Sequence, residues 1–241
     1  MDKRSNRKIK GIVFDMDGVI IDTCKLHEES WFEVSKEYDI TWDKTVDFKR
    51  NVFGTCSVDS ARLLFGQQIL EYDINELCLK KEKIYKHLLH MNVNNIVVRG
   101  FSGFFKSLAQ SGIPIALGTS SIFEEANFVL KSLDIARYFK TIIHFSKVKQ
   151  PKPDPEVYIK ACEELDALPQ NCIGFEDSIS GIIALERAGI RCVVVGTTLS
   201  YGRLTNSGLN FDSYIQDFNG ISLRDILRNT SSKPLHMRYA I

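Results

Sequence analysis

The chain has 241 residues, 44% of them apolar and 25% charged, the balance of an ordinary globular protein and enough for one large domain or a core with a smaller inserted one. Its 31 Lys and Arg nearly cancel its 30 Asp and Glu, leaving a formal charge of +1. That argues against a dedicated nucleic-acid or anionic-membrane binder, which would carry a basic excess.

The N-terminus opens with charges, but its apolar stretch, Gly11-Ile12-Val13-Phe14, is too short for the h-region of a signal peptide, and no run approaches the length of a membrane helix. Six cysteines, at 24, 56, 78, 162, 172 and 192, include no C-x-x-C and no neighbouring His pair at zinc-finger spacing. They read as reduced thiols, and the expectation is a cytoplasmic protein.

Ile9 to Phe14 is a β-branched and aromatic run, the pattern of a strand buried on both faces. Just past its end stand Asp15 and Asp17, two carboxylates that side-chain alternation turns to the same side, with Gly18 permitting a sharp turn after them. A carboxylate there can accept a phosphoryl group, and a second can serve as acid and base. Region 24–95 then breaks the rhythm. It holds helical stretches at Leu26–Tyr38, Val58–Phe65 and Ile74–Leu89 and no strand, and reads as a small helical domain inserted after the first strand.

From there on strands and helices alternate: runs at Ile113–Leu117, Thr141–Phe145, Cys172–Phe175 and Arg191–Val195, with helical spacing at Ile122–Leu133, Pro155–Leu168 and Ser180–Ala188. This predicts an α/β fold, a Rossmann-like doubly wound parallel sheet covered on both sides. The core is expected over 1–23 and 97–228, the helical domain over 24–96 and a loose tail over 229–241. Three of these strands lead to further polar stretches. Thr119-Ser120-Ser121 offers hydroxyls and free N–H groups to phosphate oxygens. Lys152, bracketed by Pro151 and Pro153, places a fixed positive charge. Glu176 and Asp177 can supply oxygen ligands to Mg²⁺. Each stretch alone also reads as ordinary structure: a solvated turn, a helix N-cap, a proline-rich loop, a second N-cap. Four of them, all following strands on the side where such folds bind ligands, make one site for phosphoryl transfer.

These four motifs, in this order, resemble those of the haloacid dehalogenase superfamily, and the inserted helices resemble its C1-type cap. The resemblance covers Ile9 to Leu227. It implies an aspartyl-phosphate intermediate on Asp15, Asp17 as acid/base with its carbonyl facing the metal, Thr119 and Lys152 on the transferring group, and Mg²⁺ held by Asp15, Asp17, Glu176 and Asp177. Asp22, Thr23, His27 and Trp31 look most like the β-phosphoglucomutase-like group of phosphatases and phosphomutases. That likeness implies substrate-binding roles for His27, Gly54, Ser60 and Lys81 beside Ser120 and Ser121. Family mutases hold the substrate's second phosphate with an arginine in a cap loop, where this chain has Ser57. Serine does not replace a bidentate arginine. The expected function is therefore a Mg²⁺-dependent phosphatase for a small phosphorylated metabolite of the sugar-phosphate kind, acting as a monomer. A hexose-phosphate mutase is the alternative.

Overall fold

A computed structural model describes residues 8–43, 45–53 and 56–228. Gly54 and the expected tail at 229–241 lie outside the described residues. The chain divides into two compact units: Thr23–Ile96 forms one, and the segments before and after it form the other.

In the larger unit the strands are β1 (Gly11–Phe14), β2 (Ile115–Gly118), β3 (Phe139–Ile143), β4 (Cys172–Glu176), β5 (Arg191–Val195) and β6 (Ser213–Ile215). Among the described residues they make one sheet in the order β3-β2-β1-β4-β5-β6, with every neighbouring pair parallel. The three central strands are buried apolar runs, with Glu176 at the end of β4 the one charged residue in them, because helices cover both faces. Side-chain alternation sends Phe14 to one face, where it stacks on Phe175 of the adjacent strand (ring centroids 4.8 Å apart, 13° between planes) and meets Phe101 and Phe105. Val13 points to the opposite face and joins Tyr158, Cys162 and Leu185 in the second layer of core. Phe14→Ala would leave a void in the first layer and cost about 3–5 kcal/mol.

The connecting helices of this unit are α4 (Phe101–Ala109), α5 (Phe123–Ser132), α6 (Glu156–Glu164), α7 (Ile179–Ala188), α8 (Tyr201–Asn206) and α9 (Leu223–Arg228). α7 starts on Ser178, whose hydroxyl accepts the Gly181 N–H, and ends at Gly189. The smaller unit holds α1 (Cys24–Glu37), α2 (Ser57–Phe65) and α3 (Ile74–Asn92). Their apolar faces close on a core of its own, built on Trp31, Val34, Leu64, Phe65 and Leu77, with Trp31 edge-on to Phe65 at 5.7 Å.

The third strand lies two residues earlier than its apolar run suggests, at Phe139–Ile143 rather than Thr141–Phe145. The Ile143 carbonyl is drawn to the Thr119 N–H, and the chain then turns at Phe145–Lys147, leaving Phe145 exposed. Helices α4, α8 and α9 and strand β6 were not anticipated. Among the described residues no helix is long and apolar enough to cross a membrane.

Candidate active site

Strand register assembles the site. Phe14 pairs with Leu117 on one side and with Phe175 on the other, so the next residues along, Asp15, Gly118 and Glu176, leave the sheet at one level. In a parallel sheet that edge carries all the carboxyl ends, where open α/β folds bind their ligands. The Asp15 N–H continues the ladder by donating to the Phe175 carbonyl at 3.0 Å. Gly18 follows with φ +78°, and a Cβ there would lie 1.9 Å from Asp177 Oδ2. Only glycine allows both that turn and that approach.

Lys152, its side chain 6% exposed, donates to Asp15 Oδ1 at 2.6 Å and to Glu176 Oε1 at 2.8 Å. Glu176 is fully buried, and five donors cover its two oxygens. Oε1 accepts from Lys152 and from the Tyr158 hydroxyl (2.7 Å). Oε2 accepts from the Asp177 and Ser178 N–H groups (2.8 and 3.0 Å) and from the Ser178 hydroxyl (3.0 Å). Gly181 leaves room for this carboxylate, since a Cβ there would sit 1.6 Å from Oε1. Asp177 Oδ2 accepts from the Thr198 hydroxyl, while the Thr197 hydroxyl donates to the Gly18 carbonyl at 2.5 Å.

The hydroxyl stretch after β2 meets the second aspartate. Ser121 Oγ donates to Asp17 Oδ2 at 2.9 Å, and the Ser121 N–H donates to Thr119 Oγ1 at 3.0 Å. Thr119 is 1% exposed, whereas Ser120 faces solvent. Asp15, Asp17, Thr119, Ser121, Lys152, Glu176 and Asp177 thus come together at one edge of the sheet, from stretches up to 162 residues apart in numbering (177 against 15).

Charge is unbalanced here. Burial, with the Glu176 and Asp17 charges, raises Asp15 to about 7 despite the opposing pull of Lys152. Burial, and after it the Glu176 and Asp15 charges, pushes Asp177 well above the carboxylate range. Burial also works against Glu176, but Lys152, Tyr158 and the Ser178 N–H hold it below its ordinary value. Lys152 is raised above an ordinary lysine by Asp15 and Glu176, against the effect of burial. Three buried carboxylates therefore face one ammonium group, and Asp15, Glu176 and Asp177 can each turn an oxygen within 4.8 Å of the others. That is a donor set for a hard, oxygen-preferring cation.

The smaller unit brings together other expected residues. His27 Nδ1 accepts from Lys81 Nζ at 2.8 Å, and the imidazole stacks on Tyr85 at 4.1 Å. Burial, and then Lys81, keeps His27 well below its ordinary value, so it stands as the neutral acceptor. Lys81 also pairs with Glu82 at 3.1 Å, and Ser57 donates to that carboxylate at 3.0 Å. Ser60 is buried on α2.

Sequence reading missed Tyr158, Ser178, Thr197 and Thr198. The two threonines did leave a signal, a pair of hydroxyl residues just beyond the end of β5. Tyr158 left none, being one more aromatic on the inner face of a helix.

The model of the haloacid dehalogenase-like hydrolase family matches residues 12–195. A phosphorylated carbohydrates phosphatase of Thermotoga maritima is 33% identical over 186 residues, covering 76% of this chain and 82% of the relative. A β-phosphoglucomutase of Bacillus subtilis is 30% identical over 193 residues, covering 78% and 84%. The crystal structure of a β-phosphoglucomutase from Clostridium difficile superimposes with a TM-score of 0.74 at 26% identity, covering 92% of this chain and 97% of that one. With its site at the carboxyl edge of such a sheet and a family match over most of its length, the chain belongs to the haloacid dehalogenase-like hydrolase family and is an enzyme of its phosphatase and phosphomutase kind.

Proposed function

We propose that the chain is a Mg²⁺-dependent phosphatase that releases phosphate from a small phosphorylated metabolite, a sugar phosphate, through a phosphorylated Asp15. The observation that carries this reading is the 2.6 Å contact between Asp15 and the buried Lys152, inside a cluster where carboxylates outnumber the cation. Asp15, Asp177 and the main-chain carbonyl of Asp17 would hold the ion. Glu176 borders them and adds charge, protein donors already covering both of its oxygens. When bound, Mg²⁺ supplies the positive charge that keeps Asp15 ionised and offsets charge on the phosphoryl oxygens.

The chain's own groups then divide the work. An Asp15 carboxylate oxygen attacks phosphorus, and the bond from phosphorus to the sugar oxygen breaks. Asp17, held by the Ser121 hydroxyl, gives that oxygen its proton. Lys152, the Thr119 hydroxyl and the N–H group of Ser120 hold the transferring oxygens, while the Ser121 N–H fixes Thr119 by donating to its Oγ1. Asp17, now a carboxylate, takes a proton from a water that attacks the acyl phosphate, freeing orthophosphate and restoring Asp15.

The sugar class rests on two relatives, the phosphatase of Thermotoga maritima and the fructose-1-phosphate phosphatase of Escherichia coli, the latter 29% identical over 189 residues. Hydrolysis rather than isomerisation is favoured by Ser57, which stands where family mutases carry arginine and is engaged with Glu82. The mutase reading draws on the buried His27–Lys81 pair and the Bacillus subtilis relative.

The test is phosphate release from a panel of sugar and nucleotide monophosphates with Mg²⁺. Release from sugar phosphates by the wild type and none by Asp15→Asn is expected. No release above that control for any compound would contradict the proposal. Conversion of a sugar 1-phosphate to the 6-phosphate faster than hydrolysis would replace it with the mutase.

A further inference from the structure

The family motifs leave unexplained a buried tyrosine at the centre of the site. Tyr158 lies on α6, six residues past Lys152, and is completely buried. Its hydroxyl donates to Glu176 Oε1 at 2.7 Å, the oxygen that also accepts from Lys152 at 2.8 Å. The Lys152 ammonium stands 4.8 Å from the centroid of the tyrosine ring. One side chain therefore touches both ends of the Glu176–Lys152 pair, from a helix packed in the second core layer.

The geometry matters because an ammonium group is a rotatable point charge with three donors on a flexible stem. Two of those donors are directed by Asp15 and Glu176, and their directions fix where the third one points. Glu176 can aim Lys152 only if it is itself immobile. Oε2 is tied to backbone N–H groups and Ser178, but rotation of the carboxylate about that side is opposed at Oε1 by Tyr158 alone among the uncharged donors. A buried carboxylate deprived of one donor either reorients or keeps an unsatisfied lone pair.

We propose that Tyr158 is a positioning residue: its hydroxyl locks Glu176, and through Glu176 it aims the Lys152 ammonium at the transferring phosphoryl group. This rests on the phosphatase reading for Lys152 and adds a residue to it. Because Lys152 contributes where charge develops, loss of the hydroxyl lowers turnover more than it weakens substrate binding.

Tyr158→Phe removes the hydroxyl and keeps the ring. Two readouts are needed: kcat and KM for the ester that the wild type hydrolyses fastest, and the rate at which trinitrobenzenesulfonate modifies Lys152, followed by peptide mass spectrometry. A cooperative thermal melt checks that the variant is folded. The expected result is a fall in kcat of about tenfold or more with KM within about twofold, and Lys152 modified several-fold faster than in the wild type. An active wild type whose Tyr158→Phe form keeps kcat and the slow modification of Lys152 would overturn the proposal. So would a raised KM with kcat kept, which assigns the tyrosine to packing around the substrate. If the wild type hydrolyses nothing, the phosphatase reading fails by itself, and Lys152 labelling alone decides: faster in the variant upholds the positioning role, unchanged overturns it.

Discussion

Lys152 in the sheet unit and Lys81 in the helical unit are buried alike, their side chains 6% and 4% exposed, yet they sit among opposite neighbours. Lys152 touches two buried carboxylates and is surrounded by more negative charge than it neutralises. Lys81 touches a neutral imidazole, a half-exposed glutamate and the face of Tyr85, 4.9 Å away. The first arrangement is incomplete without further positive charge; the second is close to balance as it stands. A buried cation marks a reaction centre when its surroundings are over-charged, and a structural joint or recognition element when they are matched.

The sharpest contrast is in turnover. Asp15→Asn removes the proposed nucleophile and is expected to cut phosphate release at least about a thousandfold. Lys152→Met comes next, with kcat lowered about a hundredfold. That variant also leaves Asp15 and Glu176 buried without their partner, so urea unfolding should show a loss of about 3–5 kcal/mol. Normal stability in Lys152→Met would mean that the carboxylates are not buried as charges, and the contrast would fail.

Titration separates the units further. Asp15 has a folded value of about 7 against an ordinary 3.8, so the native chain keeps a proton that the unfolded chain has released. Without metal, stability therefore falls as pH rises from 3.8 to about 7, by roughly a few kcal/mol, and Asp177 pulls in the same direction. Glu176 runs the other way: held below 4.5, it contributes stability above that pH and loses it on further acidification. Melting curves in EDTA and in Mg²⁺ across this range check the sign, with Mg²⁺ stabilising more at pH 8 than at pH 5. A Mg²⁺ effect independent of pH would contradict the charge imbalance.

The smallest effect belongs to the helical unit. Lys81→Met keeps the stem, and Glu82 stays hydrated at the surface, so the stability loss should be about 1 kcal/mol or less. His27 loses the adjacent positive charge and should titrate closer to an ordinary histidine, which NMR of its ring protons would follow. A loss as large as that of Lys152→Met would erase the distinction between the two lysines.

The carboxyl-edge site was legible where chemistry is local. Asp15, Thr119, Glu176 and Asp177 each follow an apolar run that reads as a buried strand, and Lys152 stands between prolines that restrict the backbone on both sides of it. What escaped depends on folding in three dimensions. Tyr158 meets Glu176 only because α6 packs across the sheet, and Thr198 reaches Asp177 only because β5 lies beside β4. Strand β6, three residues long and opening on Ser213, has too little alternation to read. Helix α4 has Gly103 in its middle and reads locally as a joint, yet Phe101, Phe104 and Phe105 anchor it against the aromatic layer. In the helical unit, His27 and Lys81 were singled out by resemblance alone. Nothing in their spacing, 54 residues apart, announces a 2.8 Å contact.

The most direct test asks which atom carries the phosphoryl group. The wild type, turning over its best substrate with Mg²⁺, is quenched in acid and treated with borohydride, which reduces an aspartyl phosphate to homoserine; the peptides are then read by mass spectrometry. Homoserine at position 15, absent from Asp15→Asn and from protein without substrate, is expected. Turnover with position 15 unchanged, or with the label on another residue, would contradict the assignment of Asp15 as nucleophile.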